Sequence, residues 1–323
     1  MSALIVLAVL ACREKAVAPA APAAAPAPAP QVSVLRSDPA CVGSFDAPGA
    51  REKVRPATGE LKIGALAGLK DADEENVAWL RKLVAELKRR GANVLVADGD
   101  VGDSPDEQDT LLGLLVESGL PVLVIAGNRE VRSELDAVEA ELRKKGARIV
   151  DLSRSRIVDL GDVTVVGLPG AFERRQLRAD GACVYAQRDI DAVSGALDRI
   201  SAPALLIAAV PPRGQDVRAL DVSESQNLGD PRLAPLLRKA QFGIFGEVWE
   251  SGGRAVDGRG APVPPGTQSA QLYLNPGAAD RTPWPMADGS TVPGQAALLT
   301  IRGRKASWEP VRPAEEKNEG LAR

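Results

Sequence analysis

Histidine is absent from the chain. That absence excludes Ser-His-Asp and Cys-His catalysis, His-ligated zinc, haem on a histidine ligand and HExxH proteases. Cysteine is scarce, with 3 residues, so no four-cysteine zinc or iron–sulfur centre can form within one chain. Basic residues are not in excess: 40 Lys and Arg face 43 Asp and Glu, for a net charge of −3. The electrostatic footprint of a nucleic-acid binder is therefore missing, and no nucleic-acid partner is expected. No internal repeat is apparent. What remains is an ordinary globular profile over 323 residues, 45% apolar and 26% charged, with ample length for a buried core.

The two ends differ from the middle. Ala3 to Ala11 is one apolar run, about half the roughly 20 residues that span a bilayer but enough for the core of a secretory signal. It ends in Val9-Leu10-Ala11-Cys12, which resembles a bacterial lipobox, with Cys12 as the lipidation site. No Lys or Arg precedes the run, a departure that a start placed too far downstream would explain. Ala18 to Pro30 is entirely Ala and Pro, a composition suited to a semi-rigid tether with a reach of roughly 40 Å. The expected organisation is a signal and lipidation Cys over 1–12, a tether over 13–55, a folded domain over 56–310 and a charged tail over 311–323. This implies an extracytoplasmic lipoprotein of a bacterial envelope, held to a membrane by its anchor and able to meet an envelope protein partner. In an oxidising compartment Cys41 and Cys183 could pair.

Between the ends, apolar strands alternate with amphipathic helices. Strands are expected at Leu61–Ala67, Asn93–Ala97, Val122–Ala126 and Arg148–Asp151. Helices are expected over 73–90, 106–118 and 131–145, with Val77, Leu80, Leu83, Val84 and Leu87 on one face of the first. Such alternation implies right-handed crossovers and a mostly parallel sheet, with ligands at the carboxyl ends of its strands. Those ends carry Gly68, Asp100 and Asn128. The second half is richer in strands, with a helix over 189–200 and two long polar loops, 213–229 and 252–268. Long loops in compact domains are often functional.

The strand ends read, in order, Gly68-Leu69-Lys70, then Gly99-Asp100-Val101-Gly102-Asp103, then Gly127-Asn128-Arg129-Glu130. Ala209-Val210-Pro211-Pro212 and Gly246-Glu247-Val248-Trp249 follow, with Asn275-Pro276-Gly277 beyond. In this order the chain, from about Leu61 to Trp308, resembles the calcineurin-like metallophosphoesterases. The resemblance implies an α/β fold, a four-layer α/β/β/α sandwich whose first half is parallel. In that family the motifs are Asp-x-His, Gly-Asp-x-x-Asp, Gly-Asn-His-Asp/Glu, a lone His and Gly-His-x-His, and they hold two metal ions.

Only part of that ligand set survives. Gly68 stands for the Asp and Lys70 for the His of the first motif. Arg129 stands for the catalytic His, Ala209 for the lone His, and Glu247 and Trp249 for the last pair. Asp100 alone remains for one ion, and Asp100, Asn128 and Glu247 for the other. Three oxygen ligands suit at most one weakly bound hard cation, so no cofactor is otherwise expected. Asp71, Asp73 and Asp103 stand near enough in sequence to be considered as replacements. Lys70 is expected to project into the emptied site within reach of Asp100. Together with Arg129 it would replace lost metal charge and keep Asp100 ionised. The plain alternatives are a solvated loop lysine and an Arg129 paired with Glu130 or Glu134. Three readings stay open: a catalytically degenerate domain acting in binding or envelope assembly, a one-metal phosphoesterase using Asp100, Asn128 and Glu247, and a phosphate or nucleotide binder using Lys70 and Arg129.

Overall fold

Strands that are apolar at consecutive positions bury both faces and require cover on both sides of a sheet. The computed structural model, which describes residues 42–56, 60–201 and 203–313, meets that need with two stacked sheets and outer helices. In chain order the elements are β1 (Arg51–Lys53), β2 (Leu61–Leu66), α1 (Glu74–Arg89), β3 (Val94–Asp98), α2 (Pro105–Glu117), β4 (Val122–Ile125), α3 (Arg132–Lys144) and β5 (Ile149–Asp151). Then come β6 (Ile157–Asp159), β7 (Thr164–Leu168), α4 (Gln187–Asp198), β8 (Ala204–Ala208), and the short pair β9 (Val222–Ser223) and β10 (Gln226–Asn227). The chain continues through β11 (Phe242–Phe245), β12 (Arg254–Val256), β13 (Leu272–Asn275), the pair β14 (Trp284–Pro285) and β15 (Thr291–Val292), β16 (Ala296–Arg302) and β17 (Lys305–Val311).

One sheet runs β17-β16-β2-β3-β4-β5 and the other β1-β6-β7-β8-β11-β13-β12. Strands β2 to β5 pair in parallel, as do β7, β8, β11 and β13. Three apolar layers result. Ile63, Val96, Leu123 and Ile125 face Val165, Ile207, Ile244 and Leu274 between the sheets. Leu95, Val124 and Leu298 pack outward on Leu83, Leu111 and Leu135 of α1, α2 and α3. Leu206, Phe245 and Tyr273 pack outward on Ile190, Val193 and Leu197, all but Leu206, Phe245 and Tyr273 lying on α4. The result is the expected four-layer α/β/β/α sandwich.

The folded part begins earlier than the sequence pattern suggests. Arg51–Lys53, assigned above to the tether, pairs in parallel with β6 at the sheet edge. Its three residues are all exposed, so no apolar alternation marks it. The loop 252–268 also carries a strand, β12, antiparallel to β13. Cys183 is buried and disulfide-bonded. Cys12 and Cys41 lie outside the described residues, as do the apolar run and the Ala/Pro segment. Among the described residues, no helix is long and apolar enough to cross a membrane.

Candidate functional site

Parallel strands bring their carboxyl ends to one edge, and short backbone bonds lock the loops there. Gly68 donates its N–H to the Gly99 carbonyl at 3.3 Å, and Lys70 to the Asp100 carbonyl at 3.0 Å. Gly246 and Glu247 both donate to the Ala209 carbonyl, at 3.0 and 2.8 Å. Glu130, fully buried, accepts from Val101 at 2.6 Å and from Gly127 at 2.7 Å, joining the second and third motifs. The strand-end motifs read from the sequence therefore meet in one place. Lys70 and Asp100 both hold positive φ, 58° and 55°, a backbone state that non-glycine residues keep only where the surroundings impose it.

One half of the site is filled by an aromatic cage. Gly68 (φ 57°) is where the family's first carboxylate would project, and a Cβ there would lie 2.9 Å from Trp249 Nε1. The Lys70 ammonium lies 4.0 Å from the Trp249 ring centroid and 3.5 Å from that of Trp284. The two rings meet edge to face at 4.8 Å. Cation–π contact of this kind strengthens when it is desolvated. The amine's carboxylate partner is Asp280 at 3.4 Å, which also accepts from Trp284 Nε1 at 3.0 Å. Burial lowers the Lys70 pKa, and Asp280 and then Asp100 oppose that shift.

The other half is polar. Arg129 donates to both oxygens of Asp103, at 2.8 and 3.0 Å, and its Nε lies 3.4 Å from Asp100 Oδ1. Asn128 donates to Glu247 at 2.6 Å and to the Gln176 carbonyl at 3.0 Å. Burial pushes the Asp100 carboxyl well above the usual range, helped by Glu130 and Glu247 and opposed by Arg129 and Lys70. Asp98 is pushed the same way by burial and by Asp100. Glu247 rises to about 7, driven by burial and held back by the Asn128 amide.

Two expectations change. Lys70 does point inward, but its ion-pair partner is Asp280, while Arg129 takes Asp100. Lys70 and Arg129 both oppose the rise of the Asp100 pKa that burial and the neighbouring Glu130 and Glu247 produce. Arg129 pairs with Asp103 and Asp100, not with Glu130 or Glu134. Two of the suggested replacement ligands are engaged elsewhere: the Asp73 carboxylate caps α1 through the Asn76 N–H at 2.8 Å, and Asp103 holds Arg129. The Asp71 carboxylate is exposed, and its backbone carbonyl accepts from the Asn76 amide. Ala209 is buried and contributes only its backbone carbonyl. Trp284 and Asp280 were not anticipated from the sequence. Their only signal was a position just beyond Asn275-Pro276-Gly277. Asp98, directly before Gly99-Asp100, was also passed over.

The fold implies two metal ions, and the residues fit them unequally. The first position has an indole where a carboxylate belongs and an ammonium where an imidazole belongs, so the donor set does not fit an ion. At the second, Asn128 Oδ1 and Glu247 Oε2 are buried and lack a hydrogen-bond partner, while Asp100 Oδ1 faces the Arg129 guanidinium at 3.4 Å. Oxygen acceptors of this kind have the chemistry of a hard-cation site, with a guanidinium already beside one of them.

Solved structures share this architecture. A dimetal phosphatase from Danio rerio matches over 80% of this chain and 98% of its own, at 14% identity and a TM-score of 0.52. The purple acid phosphatase PPD1 from yellow lupin seeds matches over 83% of this chain and 53% of its own, at 9% identity and a TM-score of 0.50. GAP50, described as the anchor in the inner membrane complex of Plasmodium, matches over 80% and 86%, at 8% identity and a TM-score of 0.50. The fold is therefore one shared with solved metal-dependent phosphatases, as the strand-end motifs led one to expect. No family model and no curated protein sequence matches the chain.

Proposed function

We propose that this chain is a catalytically degenerate phosphoesterase-fold protein that acts by binding, as part of an envelope assembly. The observation that carries the proposal is the Trp249 indole beside Gly68, with the Lys70 ammonium caged against it. Two-metal hydrolysis needs ions about 3.5–4 Å apart to ready a water and neutralise the phosphate. Neither Trp249 nor Lys70 can supply ligands to the first of them. Arg129, at the catalytic His position, cannot release a proton near neutral pH because its pKa exceeds about 12. GAP50, a protein described as an anchor, carries the same fold, and an anchoring use is the kind proposed here. The proposal includes a lipid anchor at Cys12 behind the Ala/Pro tether, which would hold the domain at a bacterial envelope membrane.

The test is turnover of a phosphodiester with added Mn²⁺ or Mg²⁺, comparing wild type with Asp100→Ala. The proposal expects no metal-dependent rate in either. Turnover in the wild type that is lost in the variant contradicts it.

A second reading has its own support. The oxygens of Asp100, Asn128 and Glu247 could hold one divalent cation, which would act as a Lewis acid on a phosphate ester. The phosphate-clamp reading is less favoured, because Lys70 and Arg129 already face Asp280, Asp100 and Asp103.

A further inference from the structure

We propose that the rim of the strand-end site is a docking surface for an acidic segment of a partner protein, gripped by a set of arginines. The inference rests on the binding reading above and names the chemistry of the partner. The strand ends themselves are buried, with Asp100 5%, Asn128 6% and Ala209 1% exposed. Positive charge stands around them, on the loops that follow β4, β7 and β8.

The loop after β7 carries most of that charge. Arg174, Arg175 and Arg178 fall within five residues, and all three are exposed. The loop is tied to the third motif from both sides. The Arg178 N–H donates to the Asn128 carbonyl at 2.9 Å, and the Asn128 amide donates to the Gln176 carbonyl at 3.0 Å. Burial raises the Glu247 pKa, and the Arg178 charge is among those that oppose the rise, so this guanidinium stands close to the site. After β8, Arg213 is exposed as well. Its backbone N–H bonds the Asp230 carbonyl at 3.1 Å and its Nε the Gly229 carbonyl at 3.0 Å. That holds the side chain and leaves both Nη groups without a partner among the described residues.

The acids at the rim do not cancel this charge. Asp103 is taken by Arg129, and Glu173 by Arg175. Arg174, Arg178 and Arg213 make no ion pair among the described residues, and Asp180 is the remaining exposed acid on the loop after β7. The excess is local, since the chain as a whole has a net charge of −3. Guanidinium groups present paired donors in the spacing that a carboxylate accepts. An arginine already held by one bond, as Arg213 is, also loses less freedom on binding.

The arrangement favours a protein segment over a small anion. The free arginines rise from two separate loops, so the complementary charges must be spread along a chain rather than gathered on one ion. The polar half of the centre offers idle acceptors, Asn128 Oδ1 and Glu247 Oε2, which an oxyanion does not bind. Leu228, 41% exposed, precedes the Gly229 that holds Arg213. An exposed leucine beside arginines suits a segment that carries apolar side chains between its carboxylates.

The test is fluorescence anisotropy of a labelled peptide of Asp-Glu-Leu-Glu repeats titrated with the full chain, with a peptide of Asn-Gln-Leu-Gln repeats as control. The proposal expects binding of the acidic peptide alone, weakening as NaCl rises to about 0.5 M. Arg174→Glu with Arg178→Glu should weaken it by about tenfold, and Arg174→Gln with Arg178→Gln by about threefold. Arg304→Glu should leave it unchanged, because the turn between β16 and β17 lies at the opposite end of the strands. The substituted side chains are all exposed, and an unchanged Tm separates lost binding from lost folding. Absence of peptide binding by wild type overturns the proposal, as does binding kept in full by the doubly reversed variant. Displacement of the peptide by millimolar inorganic phosphate at constant ionic strength overturns it too, by making the occupant a free anion. So does binding of the Cys12→Ser chain to phosphatidylglycerol vesicles through the same arginines with the peptide unbound, which makes the occupant a membrane. Metal-dependent phosphodiester turnover counts against the degenerate reading alone, so the two failures are told apart.

Discussion

Lys70 is the residue on which the proposed loss of the first metal position turns. Its ammonium lies against two indoles, and its buried partner is Asp280. Removing one member of a buried ion pair leaves the other unpaired, typically at about 3–5 kcal/mol. Lys70→Met should therefore lower unfolding free energy by about 3 kcal/mol in urea titration, and Lys70→Met with Asp280→Asn should recover part of that loss. Trp249→Ala should cost a similar amount, about 3–5 kcal/mol, because it empties the volume beside Gly68.

Glu247 gives a pH prediction. Its pKa rises from 4.5 unfolded to about 7 folded, so between those values the folded state binds more protons. Stability is then highest below about pH 4.5, falls as pH rises towards 7, and flattens above. Glu139, raised to about 8 by burial, acts in the same direction. A Tm series should fall from pH 5 to pH 8, and Glu247→Gln should make that fall shallower while keeping the bond from Asn128, with Glu139 supplying what remains.

At the scale of elements, the loops are tied by a few buried polar side chains. The Asn76 amide bonds the Leu69 carbonyl at 2.8 Å, and its oxygen accepts from the Arg281 N–H at 2.9 Å, so it links the loops that carry Lys70 and Asp280. Glu130 links the second and third motifs. Glu130→Gln turns one acceptor into a donor facing a backbone N–H and should cost about 1–3 kcal/mol, read from the urea midpoint.

Much of this level was legible in the sequence. The first helix shows why: Leu80, Leu83 and Leu87 face the sheet, and Gly91 follows the last turn at φ 90°. Strand β1 was not legible, because a three-residue exposed edge strand leaves no periodic trace. The candidate site was legible where side chains sit in a fixed motif, as at Asp100 and Asn128. It was not where a partner comes from a loop without a pattern. Asp280 and Trp284 reach Lys70 from far along the chain, and nothing in local spacing announces them.

For the whole molecule, the anchor and the closed site together make the account. Replacing Cys12 by Ser should release the protein from the membrane fraction and abolish acyl labelling. Continued membrane association of that variant, with no acyl label on the wild type, counts against the anchor. The central claim concerns the site, and anomalous diffraction from crystals grown in Mn²⁺ reads it directly. The account predicts no ion between Gly68 and Trp249, and at most one against Asp100, Asn128 and Glu247. Two Mn²⁺ peaks about 3.5–4 Å apart would contradict it.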